Sequence, residues 1–207
     1  MRDWWIRTLL VLRRPRPVFA ALRDDSRESA ADRAEPVLAI VLLAGMAWAL
    51  STSTAAHLMD DDDYDAIIVA IWVFFVGGIY GFFAYFALGG VLHRAVRALG
   101  SRGTYRRSRH VLAFASVPLA VSLVAWPVKL AAFAGDAFRT GGSDAGAGGA
   151  AFVAIEVVFL AWAVALLVIG VRTVHGWTWA RAGAAVVVAA CACVAILAAV
   201  FLAAGRL

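Results

Sequence analysis

The sequence is short of most residues that carry chemistry. Of 207 residues, two are cysteine and five are proline, and a single lysine, Lys129, stands among 19 basic residues. Cys191 and Cys193 lie two positions apart in an apolar run. On a helix they point about 200° apart, so they cannot chelate one metal together. They offer no disulfide framework and read as small apolar filler. The zinc signature His-Glu-x-x-His, the Gly-x-Ser-x-Gly elbow, the Walker loop and a Gly-x-Gly-x-x-Gly after a strand are all missing. No cofactor is implied. Basic residues without an interleaved aromatic RNA motif give no nucleic-acid footprint.

What is abundant is apolar surface. Hydrophobic residues make up 63% of the chain, against about 45–50% in soluble proteins. A chain this short cannot hide that surplus in one core, so the bilayer is its natural solvent. Apolar runs cover 36–56, 66–92, 111–134, 151–171 and 182–204. Each is near the roughly 20 residues that cross hydrocarbon. The second is longer and must tilt or bend. The third is broken by Pro118 and Pro127. Lipid cannot satisfy open backbone groups, and no strand alternation is present. The expected fold is therefore all-α, a polytopic membrane protein built as a bundle of about five transmembrane helices.

Charge gives the orientation. The tail before residue 36 holds eight arginines, the loop after the second run six, and the loop after the fourth two, Arg172 and Arg181. The opposite side holds three basic residues, Lys129, Arg139 and Arg206, together with the acidic run Asp60–Asp65. Cytoplasmic loops carry the basic excess. The expectation is a cell-membrane protein with a cytoplasmic amino terminus and its carboxyl terminus outside. The dominance of Arg, Ala and Gly suggests GC-rich codons and a bacterium. Residues 1–35 do not read as a signal peptide, because Asp3 and Arg7 interrupt the pattern. They read as a short amphipathic amino-terminal segment on the membrane surface, preceding a membrane domain of residues 36–207. Trp5, Leu9 and Leu12 share a helical face there, and Trp4 and Trp5 suit the headgroup layer.

Several positions are candidates for more than filler. Gly77 and Gly81 lie one helical turn apart and permit close helix approach, and Gly89 and Gly90 are further packing candidates. His93, His110 and His175 map to the cytoplasmic face. Three imidazoles invite a metal reading, but no carboxylate or thiol accompanies them at ligand spacing. The Asp60–Asp65 run lacks the glycine and terminal glutamate of a calcium loop and reads as a solvated turn. Glu156 is the one acid inside a span, and intramembrane ionisable groups are functional candidates by default. Lys129 is its expected partner. Counting about 1.5 Å per residue, Lys129 is about 27 Å above residue 111, and Glu156 about 7 Å below residue 151, so both sit near the outer boundary.

Three ordered blocks carry a family pattern. Leu88-Gly89-Gly90-Val91-Leu92-His93 precedes Leu99-Gly100-Ser101-Arg102-Gly103-Thr104-Tyr105 and Ala113-Phe114-Ala115-Ser116-Val117-Pro118. Trp162, Gly170-Val171-Arg172-Thr173-Val174-His175-Gly176 and Arg181-Ala182 follow, and Arg16-Pro17-Val18-Phe19-Ala20-Ala21-Leu22 stands near the start. Together they resemble the bacterial Yip-one domain family over most of residues 15–200. These are five-span proteins related to the eukaryotic Ypt/Rab-interacting membrane proteins. The resemblance implies a cytosolic amino terminus and a non-enzymatic membrane role, and it offers no catalytic residues to transfer. The eukaryotic role in vesicle traffic and GTPase binding does not carry over to a bacterium. The expected role is a non-catalytic scaffold or adaptor whose partners are the bilayer, other membrane proteins or a second copy. The alternative is a small transporter or channel subunit using Glu156 and Lys129.

Overall fold

The computed structural model describes residues 2–61 and 63–204. Among them there is no strand. Three short helices open the chain: α1 (Arg2–Leu10), α2 (Pro15–Ala21) and α3 (Arg27–Asp32). Pro15 and Pro17 enter α2 at its first turn, where a missing N–H costs nothing. Ser26 caps α3 by accepting from the Ser29 N–H at 3.2 Å.

Helix α4 (Ala34–Leu50) follows and is 17 residues long. It stops short of the expected residue 56. Ser51 Oγ donates to the Ala47 carbonyl at 3.0 Å, and Thr52 Oγ1 donates to Ala49 at 2.6 Å. Hydroxyls that bond back to the preceding turn compete with helix continuation, and the chain turns into a 3₁₀ segment, Ala55–Asp60. At about 26 Å, α4 is at the short limit for a crossing.

Four other helical stretches are long and apolar enough to cross a membrane: Ala66–Ala98, Tyr105–Phe138, Ala147–His175 and Trp179–Ala204. The first is α5 (Ala66–Trp72) and α6 (Gly78–Ala98), joined by a π turn at Val73–Gly77. Asp65 caps its start by accepting from Ile67 N and Ile68 N at 2.9 and 2.8 Å. The π turn is the bend that the excess length demanded. The second stretch is α7 (Tyr105–Ala115), α8 (Val117–Ser122) and α9 (Ala125–Phe133). Pro118 is the second residue of α8, immediately after the break at Ser116. Pro127 has no N–H to give the Leu123 carbonyl, which takes Trp126 N at 3.1 Å instead, just where α8 gives way to α9. Helices α10 (Ala147–His175) and α11 (Trp179–Ala204) are unbroken.

The apolar surface is turned outward. Phe74, Phe83, Leu197 and Phe201 are 60, 67, 69 and 81% exposed. Exposure on this scale belongs to lipid, not water. The inward contacts are close and glycine-lined. Gly45 of α4 faces Gly77 and Gly81. A methyl group on Gly77 would stand 2.6 Å from the Met46 Cα, and one on Gly45 or Gly81 would collide with the facing backbone. The partner of the Gly77–Gly81 face is thus a helix of the same chain.

Candidate functional site

At one end of the bundle the amino-terminal segment is wedged in place. Phe19, Leu22 and Val11 have no exposed surface. Phe19 lies against Gly170 of α10 and Val111 of α7, and a methyl on Gly170 would approach both within 3 Å. Trp4 also turns inward, 6% exposed, with its ring 5.6 Å from that of Phe114. Trp5, Ile6 and Leu9 point away at 42, 59 and 67% exposure. The segment has two apolar faces where one was expected. One belongs to the bundle, so Trp4 does not share the headgroup role expected beside Trp5.

A polar knot locks the wedge. Arg33 is fully buried. Its Nε donates to His110 Nδ1 at 2.8 Å, and its Nη1 donates to the Asp24 carbonyl at 2.9 Å and to Ser29 Oγ at 3.0 Å. The guanidinium lies 5.5 Å from the Trp4 ring centroid. Asp25, 7% exposed, accepts from Arg106 Nε at 2.8 Å, from Thr104 Oγ1, and from Arg33 Nη2 at 3.4 Å. Burial alone would raise the Asp25 carboxyl. The Thr104 hydroxyl and the Arg106 and Arg107 charges outweigh it and hold the group below the usual carboxylate range. A guanidinium has no acceptor, so the bond from Arg33 requires His110 to be neutral with Nδ1 unprotonated. Further straps run across the same end. Arg23 donates to the Thr173 carbonyl at 2.6 Å, Arg107 to the Arg23 carbonyl at 2.7 Å, and Arg181 to Leu99 at 3.0 Å. Gly100 and Gly176, with φ of 89° and 66°, close α6 and α10 here. Only glycine takes that conformation without strain, and the bonds from Ser101 N to Val96 O and from Trp177 N to Arg172 O complete both caps.

The three histidines share this end but do not converge. His93 Nδ1 is 3.4 Å from Ser108 Oγ, His175 Nδ1 is 3.2 Å from Ser101 Oγ, and His110 is taken by Arg33. Among the described residues no group of His, Cys, Asp and Glu could hold a metal. Gly89 makes room for Arg109, whose side chain lies across it with the guanidinium 4.4 Å from the Phe86 ring and 4.5 Å from that of Tyr105. Gly90 has only ordinary contacts, to Arg94 and Tyr105.

The sequence blocks 16–22, 99–105 and 170–176 therefore meet in space. Phe19 reaches Gly170, Ser101 reaches His175, and the cap residue Thr104 reaches Asp25. The model of the Yip1 domain matches residues 9–202. The chain belongs to the Yip1 domain family. No curated protein and no solved structure matches it. The match takes in α2, the ionic residues of the knot and the apolar runs as far as residue 202. In this Yip1 domain the amino-terminal segment is built into the fold.

The opposite end is acidic and looser. Asp60 accepts from Thr140 N at 2.7 Å and from its hydroxyl, and these bonds lower its carboxyl below the ordinary value. The Thr140 hydroxyl is also 2.7 Å from His57 Nδ1. Lys129 is not beside Glu156. Its Nζ is 3.5 Å from Asp144 Oδ2 and 4.8 Å from the Trp126 ring centroid. The depth argument placed the start of α10 at residue 151, but the helix begins at Ala147. Glu156 is therefore about 13 Å into it, a full turn deeper. It lines a crevice of about 140 Å³ with Ser51, Ser122 and Trp48. Among the described residues no cation stands within ion-pair distance of it. Sequence reading missed Arg33, Asp25, Gly45 and Gly170.

Proposed function

We propose that this Yip1-domain protein is a non-catalytic membrane scaffold or adaptor, and that the closed amino-terminal end is its docking platform. The supporting observation is the wedge itself. Phe19, Leu22 and Val11, all fully buried, seal the bundle at this end, while Arg16 and Arg27 stay exposed above it. A sealed, multiply strapped end suits presentation of a fixed surface better than passage through the bundle. Residues 1–35 then act as a cytoplasmic element seated on the membrane domain of 36–207. The basic surplus of the same end supports a cytoplasmic placement by the positive-inside rule, with the acidic end and the carboxyl terminus outside, in a bacterial inner membrane. The partner in this reading is another membrane protein or a second copy.

Photo-crosslinking from positions 16 and 27 in native membranes tests the proposal. One discrete adduct, lost when Asp25→Ala releases the wedge, is the expected result. Crosslinks to lipid alone, together with solute flux in proteoliposomes, would overturn it. Such flux would favour the second reading, a small transporter or channel subunit. That reading is supported by Glu156, an acid inside a crevice, and by the broken α7–α9 stretch that carries Lys129.

A further inference from the structure

The crevice at Glu156 does not end there. It shares Trp48, Leu119 and Leu160 with a larger cleft of about 330 Å³ between α4, α6, α7, α8 and α10. The larger cleft is within the roughly 300–1,000 Å³ range of small-molecule sites. Apart from Ser116, whose hydroxyl proton goes to the Ala113 carbonyl at 2.8 Å, its other walls are apolar or aromatic, among them Val41, Ala84 and Leu112. The two parts together have the shape and polarity of an amphiphile: a long apolar trough with one acidic end.

The acidic end is specific about charge. Ser51 and Ser122 spend their hydroxyl protons on the Ala47 and Leu119 carbonyls, at 3.0 and 2.7 Å. Each is then left with lone pairs only to offer the crevice, which Glu156 also lines. Glu156 and the two serine oxygens are acceptors, with the Trp48 indole N–H the one side-chain donor of the lining, so the crevice suits a ligand that donates. Trp48 lines both parts, and its ring is stacked on Tyr80, 6.3 Å apart and 8° from parallel. An indole face beside a carboxylate is the chemistry that recognises an ammonium group. Lys129, the one lysine of the chain, is committed to Asp144 and supplies no internal counter-ion here.

We propose that this groove binds an amphiphile bearing an ammonium group on a hydrocarbon chain, with the ammonium between Glu156 and Trp48 and the chain in the trough toward Leu112. The head would lie in the outer half of the bilayer, and the tail would run inward as membrane chains do. Trp48 and Leu160 are 45 and 42% exposed, so the groove opens sideways and an amphiphile enters from the bilayer.

The test uses the full chain in nonionic maltoside micelles and three probes of equal chain length: dodecylammonium, dodecanol and dodecanoate. Binding to the folded protein raises Tm by an amount that grows with the logarithm of ligand concentration over Kd. Dodecylammonium is expected to raise Tm most, and Glu156→Gln to weaken its apparent affinity roughly tenfold, the scale of one lost charge contact in a desolvated site. Trp48→Leu should weaken dodecylammonium but not dodecanol, and Leu160→Trp should exclude both. Equal stabilisation by dodecanol and dodecylammonium would overturn the proposal and leave a groove merely solvated by lipid chains. An undiminished ammonium preference in Glu156→Gln would overturn it as well. If Glu156→Gln fails to fold, Trp48→Leu and the three-probe comparison on the parent chain still decide.

Discussion

The two ends of this molecule handle polar groups in opposite ways. At the basic end a subset of the ionic side chains ties separate elements together: Arg33 to His110, Arg106 to Asp25, Arg181 to Leu99. At the acidic end no member of an ion pair among the described residues is fully buried. Lys129 and Asp144 are 15 and 20% exposed, and His57 and Asp60 54 and 39%. Burial decides what such pairs are worth. Breaking a buried pair strands a charge and costs several kcal/mol, whereas an exposed pair contributes at most about 1 kcal/mol. The basic end, which holds the fully buried Arg33, is therefore the structural clamp of the fold.

The largest effect should follow from opening the clamp. Asp25→Ala leaves the fully buried Arg33 and the Arg106 guanidinium without their carboxylate. A loss of about 3–5 kcal/mol in unfolding free energy is expected, measured by denaturant titration in mixed micelles. A loss below about 1 kcal/mol would erase the contrast between the ends. Second comes the glycine seam between α4 and α6. Gly81→Leu drives a side chain into the Val41 backbone, and overpacking costs typically 1–3 kcal/mol. An unchanged melting profile would show that this face does not meet α4. Third, Lys129→Met and Asp144→Asn should each cost roughly 0–1 kcal/mol. In a double-mutant cycle Lys129 should couple to Asp144 and add independently with Glu156→Gln. Coupling to Glu156 instead would restore the partnership that the sequence alone suggested.

The smallest effect is the pH response of the clamp. The Asp25 carboxyl is held below its ordinary value of 3.8. A depressed carboxyl contributes stability that is complete above the ordinary value and is lost as pH falls through the folded one. Stability should thus be flat in this component from neutral pH down to about 5 and fall in more acid solution. The fall should shrink in Asp25→Asn and not vanish, because His110, which must stay neutral to accept from Arg33, is also charged in acid. A decline already complete at pH 6 would point to another group.

How far the sequence reached depended on the range of the interaction. Helix count, loop charge and the breaks at Pro118 and Pro127 are local, and periodicity and composition reveal them. The bend in the second run followed from its length alone. The end of α4 was missed by six residues because apolar periodicity ran on through Ala55 and Ala56, while Ser51 and Thr52 turned their hydroxyls back on the helix. The clamp was invisible for a different reason. Asp25 and Arg106 are 81 residues apart, and among eight tail arginines nothing local distinguishes Arg33 as the buried one. Gly77 and Gly81 announced a contact but not its partner, since Gly45 stands alone in its run. Lys129 and Glu156 were assigned similar depths from apolar boundaries, and a shift of one turn at the start of α10 was enough to separate them.

The central claim is that the amino-terminal segment is an integral part of the bundle and not a loose arm on the membrane. Amide hydrogen exchange across residues 18–22 in the intact protein tests it most directly. Slow exchange in the parent chain is expected, because Val18, Phe19 and Leu22 are 3, 0 and 0% exposed. It should accelerate by roughly a hundredfold or more in Asp25→Ala, the change that a loss of about 3 kcal/mol in local stability produces. Exchange at the rate of an unstructured peptide in the parent chain, or protection indifferent to Asp25, would contradict it.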